Sequence, residues 1–216
     1  NPRSAAEMVT AFVEGSPLSD EEVLDIDEEA YREDRLASRL YGYLSVPRVQ
    51  RLLQGGKIMS NSTPDAAVIK EQIADYLVEK IMQPDTLYLL GPGTTVRAVT
   101  DALDLPKTLL GVDAVRNRQL VGEDLNEGAL LNLLDRHPQA GIIVTPIGGN
   151  GFILGRGSKQ FTPEVIRRVG KDHLLVIATR SKLSRLDCLR VDSGDPQLDA
   201  ALAGYTKVIT NYLEGK

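Results

Sequence analysis

Four short runs of apolar residues, separated by helical patterns, place the tightest constraint on what this chain can fold into. The runs read LYLL at 87–90, TLLGV at 108–112, GIIVT at 141–145 and LLVIA at 174–178. Such nearly continuous apolar runs are typical of parallel strands that are covered by helices on both faces. The sequence therefore predicts an α/β fold, with three layers (α/β/α) built around a mostly parallel, Rossmann-like sheet.

Two parts are expected along the chain. Residues 61–216 carry the alternating pattern and predict a domain that binds a phosphate or a nucleotide. Residues 1–60 predict a helix at 5–13, a strand at 22–27 and a further helix at 28–44. We expect this N-terminal helix–strand segment to link the α/β domain to an upstream domain that the sequence does not contain.

Capping and turn residues predict where the helices of the second part begin. Pro64 follows the candidate caps Ser62 and Thr63, and the pairs Thr162-Pro163 and Asp195-Pro196 have the same order of cap and proline. The predicted strands are 86–90, 108–112, 141–145, 174–178 and 189–192; helices are predicted at 96–103 and 125–134 and from 64, 163 and 196 onward, and 205–212 could be either.

Composition narrows the classes of partner. No apolar run approaches the roughly 18 residues of a membrane span, and no signal peptide opens the sequence. The only cysteine, Cys188, fits a reducing compartment, and the two histidines have no paired spacing for a metal. We therefore expect a cytoplasmic protein whose partner is a small molecule, with no predicted metal ligands and with homo-oligomer formation left open.

Charge is unevenly distributed along this chain of net charge −5. Ten acids and one base lie between Glu14 and Asp34, whereas nine bases and three acids lie between Arg156 and Arg190. Both stretches are compatible with solvated faces. The basic stretch would also attract an anionic ligand, because it adjoins a glycine-rich loop. The net negative charge argues against a general nucleic-acid binder.

The loop Gly91-Pro92-Gly93-Thr94-Thr95 connects a predicted strand to a predicted helix. Main-chain N–H groups and the helix dipole favour an anion at such a turn, and glycine allows the main chain to approach it closely. No lysine follows the glycines as in a Walker A loop, and Val96 stands where a dinucleotide motif has its third glycine. A tight turn with an ordinary threonine cap is the alternative interpretation.

Asp113 ends the next predicted strand and is the second candidate. An acid at this place can accept hydrogen bonds from ribose hydroxyls. It could equally cap a helix or pair with Arg116 or Arg118.

The densest glycine cluster of the chain follows Thr145, with five glycines among the ten residues 148–157. Glycine loses more backbone freedom on folding than any other residue, so such density indicates positive φ angles or the close approach of a ligand. Arg156 and Lys159 could bind the phosphate group of such a ligand. The candidate residues of this loop are Thr145, Gly148, Gly149, Asn150, Gly151, Gly155, Arg156, Gly157 and Lys159. A purely structural loop is the alternative.

Four longer stretches resemble the ATP-NAD kinase-like proteins, the group related to the acetoin-catabolism protein X. They are LYLLGPGTTVRAV at 87–99, TLLGVDAV at 108–115, IVTPIGGNGFILGRGSKQFTPEVIRRVG at 143–170 and VDSGDPQLDAALAGYTKVIT at 191–210. The similarity spans nearly all of the chain and corresponds to the C-terminal region of those proteins. It implies phosphorylation of NAD to NADP with ATP or another phosphoryl donor and with Mg²⁺.

The chain departs from that family in two respects. In NAD kinases at large, the base is the Asp of a GGDGT motif in an N-terminal domain, whereas the nearest string here is GGNGF at 148–152. Because the neutral amide of Asn150 cannot act as a general base, we expect the motif to lie upstream of Asn1 and the chain alone to be nearly inactive. NAD kinases in general also have an all-β C-terminal domain, whereas the alternation here predicts α/β.

Two other functions stay open at this point. GPGTT and GVDAV also resemble the phosphate loop and the acidic strand end of the ribose-5-phosphate isomerase and glucosamine-6-phosphate deaminase folds, in which case Asp113 would be the acid–base carboxylate. Alternatively, the chain is a non-catalytic module that senses a phosphorylated metabolite.

Overall fold

The computed structural model describes residues 2–26, 38–49, 64–147, 151–212 and 214–215. The chain divides into two compact units. One unit consists of residues 1–60 and 148–150, and the other consists of residues 61–147 and 151–216. None of the helices in the described ranges combines the length and the apolar character needed to cross a membrane.

The described part of the first unit is a helix followed by a β-hairpin. Helix α1 spans Pro2–Val13, strand β1 spans Leu18–Ile26 and strand β2 spans Ser38–Pro47. The strands are antiparallel, with Leu18 opposite Pro47 and Ile26 opposite Ser38. The helix predicted for 28–44 is therefore wrong over 38–44, because this segment pairs with β1, with a bulge at Tyr41 between the pairs Val23–Gly42 and Leu24–Leu40; 28–37 lies outside the described residues.

The second unit contains the remaining helices and strands. Its helices are α2 (Pro64–Tyr76), α3 (Thr94–Asp101), α4 (Glu127–Arg136), α5 (Pro163–Val169), α6 (Arg180–Leu183) and α7 (Pro196–Leu202), with a π turn at Leu77–Ile81 and a 3-10 turn at Lys171–His173. Its strands are β3 (Leu87–Leu90), β4 (Asp113–Arg116), β5 (Gln119–Gly122), β6 (Ala140–Val144), β7 (Phe152–Leu154), β8 (Leu174–Ile177), β9 (Arg190–Val191), β10 (Val208–Asn211) and β11 (Glu214–Gly215).

Seven of these strands form one sheet, in the order β11-β10-β8-β6-β3-β4-β5. The four neighbours β10, β8, β6 and β3 are parallel, whereas β4, β5 and β11 each pair antiparallel with the strand before them in the chain. Strands β7 and β9 form a separate parallel pair. The predicted mostly parallel α/β sheet is confirmed, and the chain is α/β where an all-β domain is the general expectation for NAD kinases.

Side chains of the central strands alternate between two apolar cores. Leu87 and Leu89 pack with α4, α5 and α7, whereas Tyr88 and Leu90 pack with α2 and α3. Successive strand residues point to opposite faces, so a strand with two buried faces has to be apolar at every position. The three-layer arrangement predicted from the unbroken apolar runs is therefore confirmed.

Two of the predicted helix caps are confirmed in detail. The Thr162 side chain accepts a hydrogen bond from Val165 N, and the Asp195 side chain accepts from Gln197 N and Leu198 N. In each case proline occupies the first turn, where its missing N–H leaves no hydrogen bond unmade. These caps fix the starts of α5 and α7 from local chemistry alone.

The strand predicted for 108–112 is wrong. The strand in this region, β4, begins only at Asp113 and turns back as β5 through Asn117 and Arg118, whose φ angles are +51° and +60°. Two consecutive positive φ angles are typical of a two-residue hairpin turn, and asparagine is favoured at its first position. The segment before β4 makes other hydrogen bonds than those of a strand: Thr108 donates its N–H and its hydroxyl to the Asp113 carboxylate, and the carbonyl oxygens of Leu109 and Val112 accept from Gly93 N and Leu125 N.

Candidate functional site at the carboxyl edge of the sheet

Three loops meet at one edge of the sheet because β3, β6 and β8 are adjacent and parallel. These strands end at Leu90, Val144 and Ile177, so the loops that begin with Gly91, Thr145 and Ala178 leave from the same edge. Ligands of open α/β sheets bind outside the carboxyl ends of the strands. A ligand site is therefore expected at this edge.

The first loop, Gly91–Thr95, packs tightly against the end of β6 and the loop that follows it. A Cβ on Gly91 would lie 3.2 Å from Val144 Cγ1, and one on Gly93, where φ is +114°, would lie 2.9 Å from Thr145 Cγ2. Gly93 also precedes α3 directly and carries no side chain that could cap its first turn. The loop after β3 and the loop after β6 are thus in contact, with the start of α3 beside them.

Two lysines that the sequence interpretation missed bind the threonines of these loops. Lys70 Nζ, from α2, donates a hydrogen bond to Thr94 Oγ1 at 3.0 Å. Lys182 Nζ, from α6, donates to Thr145 Oγ1 at 3.4 Å. Because Gly93, next to Thr94, contacts Thr145, the two ammonium groups converge on the junction of the two loops. The predicted residues Thr94 and Thr145 are therefore brought together; Thr95 is buried in the first turn of α3.

The electrostatics of this junction favour an anion. Two causes lower the pKa of Lys182 to about 8: burial, which has the larger effect, and the positive charge of Lys70. Burial also lowers the pKa of Lys70. Among the described residues, no carboxylate pairs with either ammonium group. Two neighbouring cations without a counter-ion in a partly desolvated place are costly, and a bound anion would remove that cost.

Helix α6 positions Lys182. The Thr179 side chain begins this short helix by accepting a hydrogen bond from Lys182 N, and its oxygen lies 3.1 Å from Ser181 Oγ. Thr179 follows β8 almost directly and is 5% exposed. Since the cap is buried at the strand end, the lysine that it holds is fixed over the same edge.

The basic stretch between 156 and 190 is divided in its use. Arg167 pairs with Asp195, Arg168 pairs with Asp135, and Lys171 donates to the carbonyl oxygen of Ala201. These are contacts of a solvated face, as one of the two interpretations predicted. Lys182 is the base of this stretch that contacts a loop of the carboxyl edge through Thr145.

The glycine-rich loop after β6 has a structural explanation over its described part. A Cβ on Gly151 would lie 2.3 Å from the carbonyl oxygen of Cys188, and one on Gly155 would lie 1.8 Å from that of Asp192. Both glycines have positive φ, as does Gly157, which packs on Ile147. The nearby main chain of Cys188 and Asp192 therefore accounts for the glycines at 151 and 155. Gly148, Gly149 and Asn150 lie outside the described residues.

Arg156 is held inside the same loop. Its Nε lies 3.5 Å from Asp192 Oδ2, and its guanidinium stacks 4.5 Å from the centre of the Phe152 ring. The side chain thereby fastens the loop to the segment around β9. Its contact with a phosphate stays a prediction, as does that of Lys159, which is exposed.

Asp113 has a structural role. Its carboxylate is fully buried, lies 3.0 Å from the Lys107 ammonium group and also accepts hydrogen bonds from Thr108 and from Asp124 N. Both oxygens are therefore occupied, and neither is exposed to a ribose hydroxyl. The same contacts deprive the isomerase alternative of its acid–base carboxylate.

The described residues contain no group of three or more His, Cys, Asp or Glu side chains that could hold a metal ion. A cavity of about 480 Å³ lies beside the residues that enter β3, and its lining includes Val78, Met82, Tyr88 and Arg118. None of the residues that line this cavity belongs to the lysine–threonine junction, which consists of Lys70, Lys182, Thr94 and Thr145.

Comparison with known proteins assigns the chain to a family. The family model described as the ATP-NAD kinase C-terminal domain matches residues 84–216, which is more than half of the chain. Neither the curated proteins nor the solved structures gave a match. The matched residues include the loop of Thr94, the loop of Thr145 and helix α6, so that most of the lysine–threonine junction falls within them. The chain belongs to the ATP-NAD kinase C-terminal domain family.

Proposed function

We propose that the carboxyl edge of this domain binds the phosphate groups of a nucleotide, and that it does so in the phosphorylation of NAD to NADP by ATP or another phosphoryl donor. The observation that carries the proposal is the convergence of Lys70 and Lys182 on Thr94 and Thr145. Family membership supports an NAD kinase-like role at a general level. The ligands NAD and ATP, and the cytoplasmic location, are parts of the proposal.

Each group at the junction has a distinct task. The two ammonium groups neutralise phosphate oxygens. Each threonine hydroxyl accepts a hydrogen bond from a lysine, which leaves its own hydrogen free for donation to the ligand. The first N–H groups of α3 point out of the helix at the same place, and the helix dipole favours a negative charge there. Phosphate is therefore bound by charge and by oriented donors together.

The proposal assigns binding and orientation to this chain and assigns no base. NAD kinases in general use a divalent metal, for which we propose Mg²⁺, but the described residues offer no cluster of ligands to hold it. We therefore derive no step through a metal. An upstream domain of the same protein, carrying the base, remains the proposed partner.

Replacement of either lysine by methionine tests the proposal. We expect Lys182→Met and Lys70→Met each to weaken the binding of ADP-ribose or ADP about 10- to 100-fold, because a hydrogen bond to a charged group contributes about 1.5–3 kcal/mol. Titration calorimetry measures the affinity. Lys207→Met, which removes an exposed lysine just before β10, serves as the control and should leave the affinity unchanged. Equal affinities for all the variants, or no binding by the parent protein, would overturn the proposal.

The pH dependence of binding gives a second test. Lys182 is protonated below its pKa of about 8 and loses its charge as the pH rises through that value. Among the described elements, Lys70 is the charged group that lowers the pKa of Lys182. We expect the affinity for ADP-ribose, whose diphosphate keeps its charge in this range, to fall between pH 7.5 and 9.5 (from about half a unit below to well above this pKa). The fall should vanish in Lys182→Arg, because arginine stays charged; a fall of the same size in that variant would contradict the assignment.

A further inference from the structure

We propose that Lys182 is a site of acylation by acyl phosphates, which bind the lysine–threonine junction through their phosphate group and transfer their acyl group to the lysine. The inference rests on the proposed function, since it uses the same phosphate site. It adds a modification and a means of regulation: an acylated Lys182 is neutral and no longer attracts a nucleotide.

The positions of the two lysines carry the inference. A phosphate held by Lys70, Thr94 and the start of α3 lies beside Lys182, because Gly93 contacts Thr145 and Lys182 Nζ donates to Thr145 Oγ1. In an acyl phosphate the electrophilic carbon is one oxygen atom away from phosphorus. Phosphate binding would therefore place that carbon within reach of the Lys182 amine, which is partly exposed.

The amine also has the protonation state that the reaction needs. With its pKa near 8, roughly a quarter of Lys182 side chains are neutral at about pH 7.5, compared with about one in a thousand for a lysine of ordinary pKa. A lysine that is desolvated and next to another cation is an activated nucleophile. Lys70 thus has two effects in succession: it favours the neutral amine while the site is empty, and it binds the phosphate of an incoming acyl phosphate.

The chemical step balances without any further reactant. The lone pair of Nζ attacks the acyl carbon, and the bond between that carbon and the phosphate oxygen breaks. Phosphate leaves with the electron pair, and the proton of the amine passes to phosphate or to water. The products are an Nζ-acyl amide and inorganic phosphate.

Acetyl phosphate is the probe for this reaction. The purified chain is incubated with it at pH 7.5 (about half a unit below the pKa that supports the proposal), and the initial acetylation rate of each lysine is measured by peptide mass spectrometry. We expect Lys182 to react at least about tenfold faster than the exposed Lys207 and Lys80, with a rate that saturates and that inorganic phosphate inhibits. Lys70→Met should slow the acetylation of Lys182 to the rate of an exposed lysine.

An uncharged acetylating reagent is the matched comparison. Acetic anhydride needs no phosphate site, so inorganic phosphate should leave its reaction with Lys182 unchanged. Acetylation of Lys182 no faster than that of Lys207, or acetylation by acetyl phosphate that inorganic phosphate does not slow, would overturn the inference. Lysine-dependent binding of ADP-ribose in the same preparation would show that the proposed function nevertheless stands. If that binding is absent as well, both the proposed function and the acylation of Lys182 are contradicted.

Discussion

Replacing Asp113 by alanine is expected to lower the free energy of unfolding by about 3–5 kcal/mol, the usual cost of removing one partner from a buried ion pair. The side chains of Lys107 and Asp113 are 1% and 0% exposed, and their charged atoms lie 3.0 Å apart. Without the carboxylate, a buried ammonium group keeps its charge or loses its proton, and Thr108 N and Asp124 N lose their acceptor. Each of these consequences is unfavourable.

Urea unfolding followed by circular dichroism measures this effect. Asp135→Ala is the control, because it removes a carboxylate of similar size from an exposed ion pair with Arg168, and exposed pairs contribute little to stability. The double variant Lys107→Met, Asp113→Ala should lose less than the sum of the two single variants, since it leaves no unpaired buried charge. A loss for Asp113→Ala as small as that for Asp135→Ala would show that the pair is not buried as described.

The second large effect is expected for Gly155→Ala. Gly155 has a φ of +90°, and a Cβ there would lie 1.8 Å from the carbonyl oxygen of Asp192. Gly170 provides a matched control, because its φ of +88° is nearly the same but nothing lies within 4 Å of its Cβ position. Gly170 has a ψ of 152°, a conformation almost restricted to glycine, so we expect Gly170→Ala to cost about 1–3 kcal/mol from backbone strain alone, and Gly155→Ala to cost about 1–3 kcal/mol more from overpacking.

The difference between the two glycine variants is the informative quantity. It is obtained from the same urea titrations, at the same protein concentration. Equal losses would mean that the segment around β9 moves away freely, and the packing explanation of this glycine would then fail. A larger loss at Gly155 would place the constraint in the main chain of the protein itself.

Local sequence signals were sufficient where local physics determines the structure. The runs at 87–90 and 174–177 are apolar at every position because both faces are covered, and the caps at Thr162 and Asp195 act within their own first turns. The hairpin of β4 and β5 was missed because the run at 108–112 is as apolar as a strand. The hydrogen bonds of this run go instead to a carboxylate and to neighbouring loops, which periodicity does not register.

The candidate site was predicted only in part, for a physical reason. Thr94 and Thr145 follow strands, and strand ends can be found in a sequence. Lys70 and Lys182 lie on helices far apart in the chain, where a lysine usually indicates a solvated face; only the packing of α2 and α6 shows that they converge. The glycines at 151 and 155 were ambiguous because a ligand and a neighbouring main chain make the same demand for space and positive φ.

The winding of the sheet places the helices that lead into its parallel strands on one face. From β3 through β6 and β8 to β10, each crossover moves one place in the same direction along the sheet. Right-handed crossovers that all advance one way put the helices that lead into the parallel strands on one face, and α4, α5 and α7 indeed share a core; α3, which leads into the antiparallel β4, packs on the other face. The parallel strands in the described residues therefore never reverse their order, and no gap opens between two oppositely wound halves. At this edge each helical layer contributes one lysine: Lys70 comes from α2, and Lys182 comes from α6, whose Leu183 packs against the core of α4, α5 and α7.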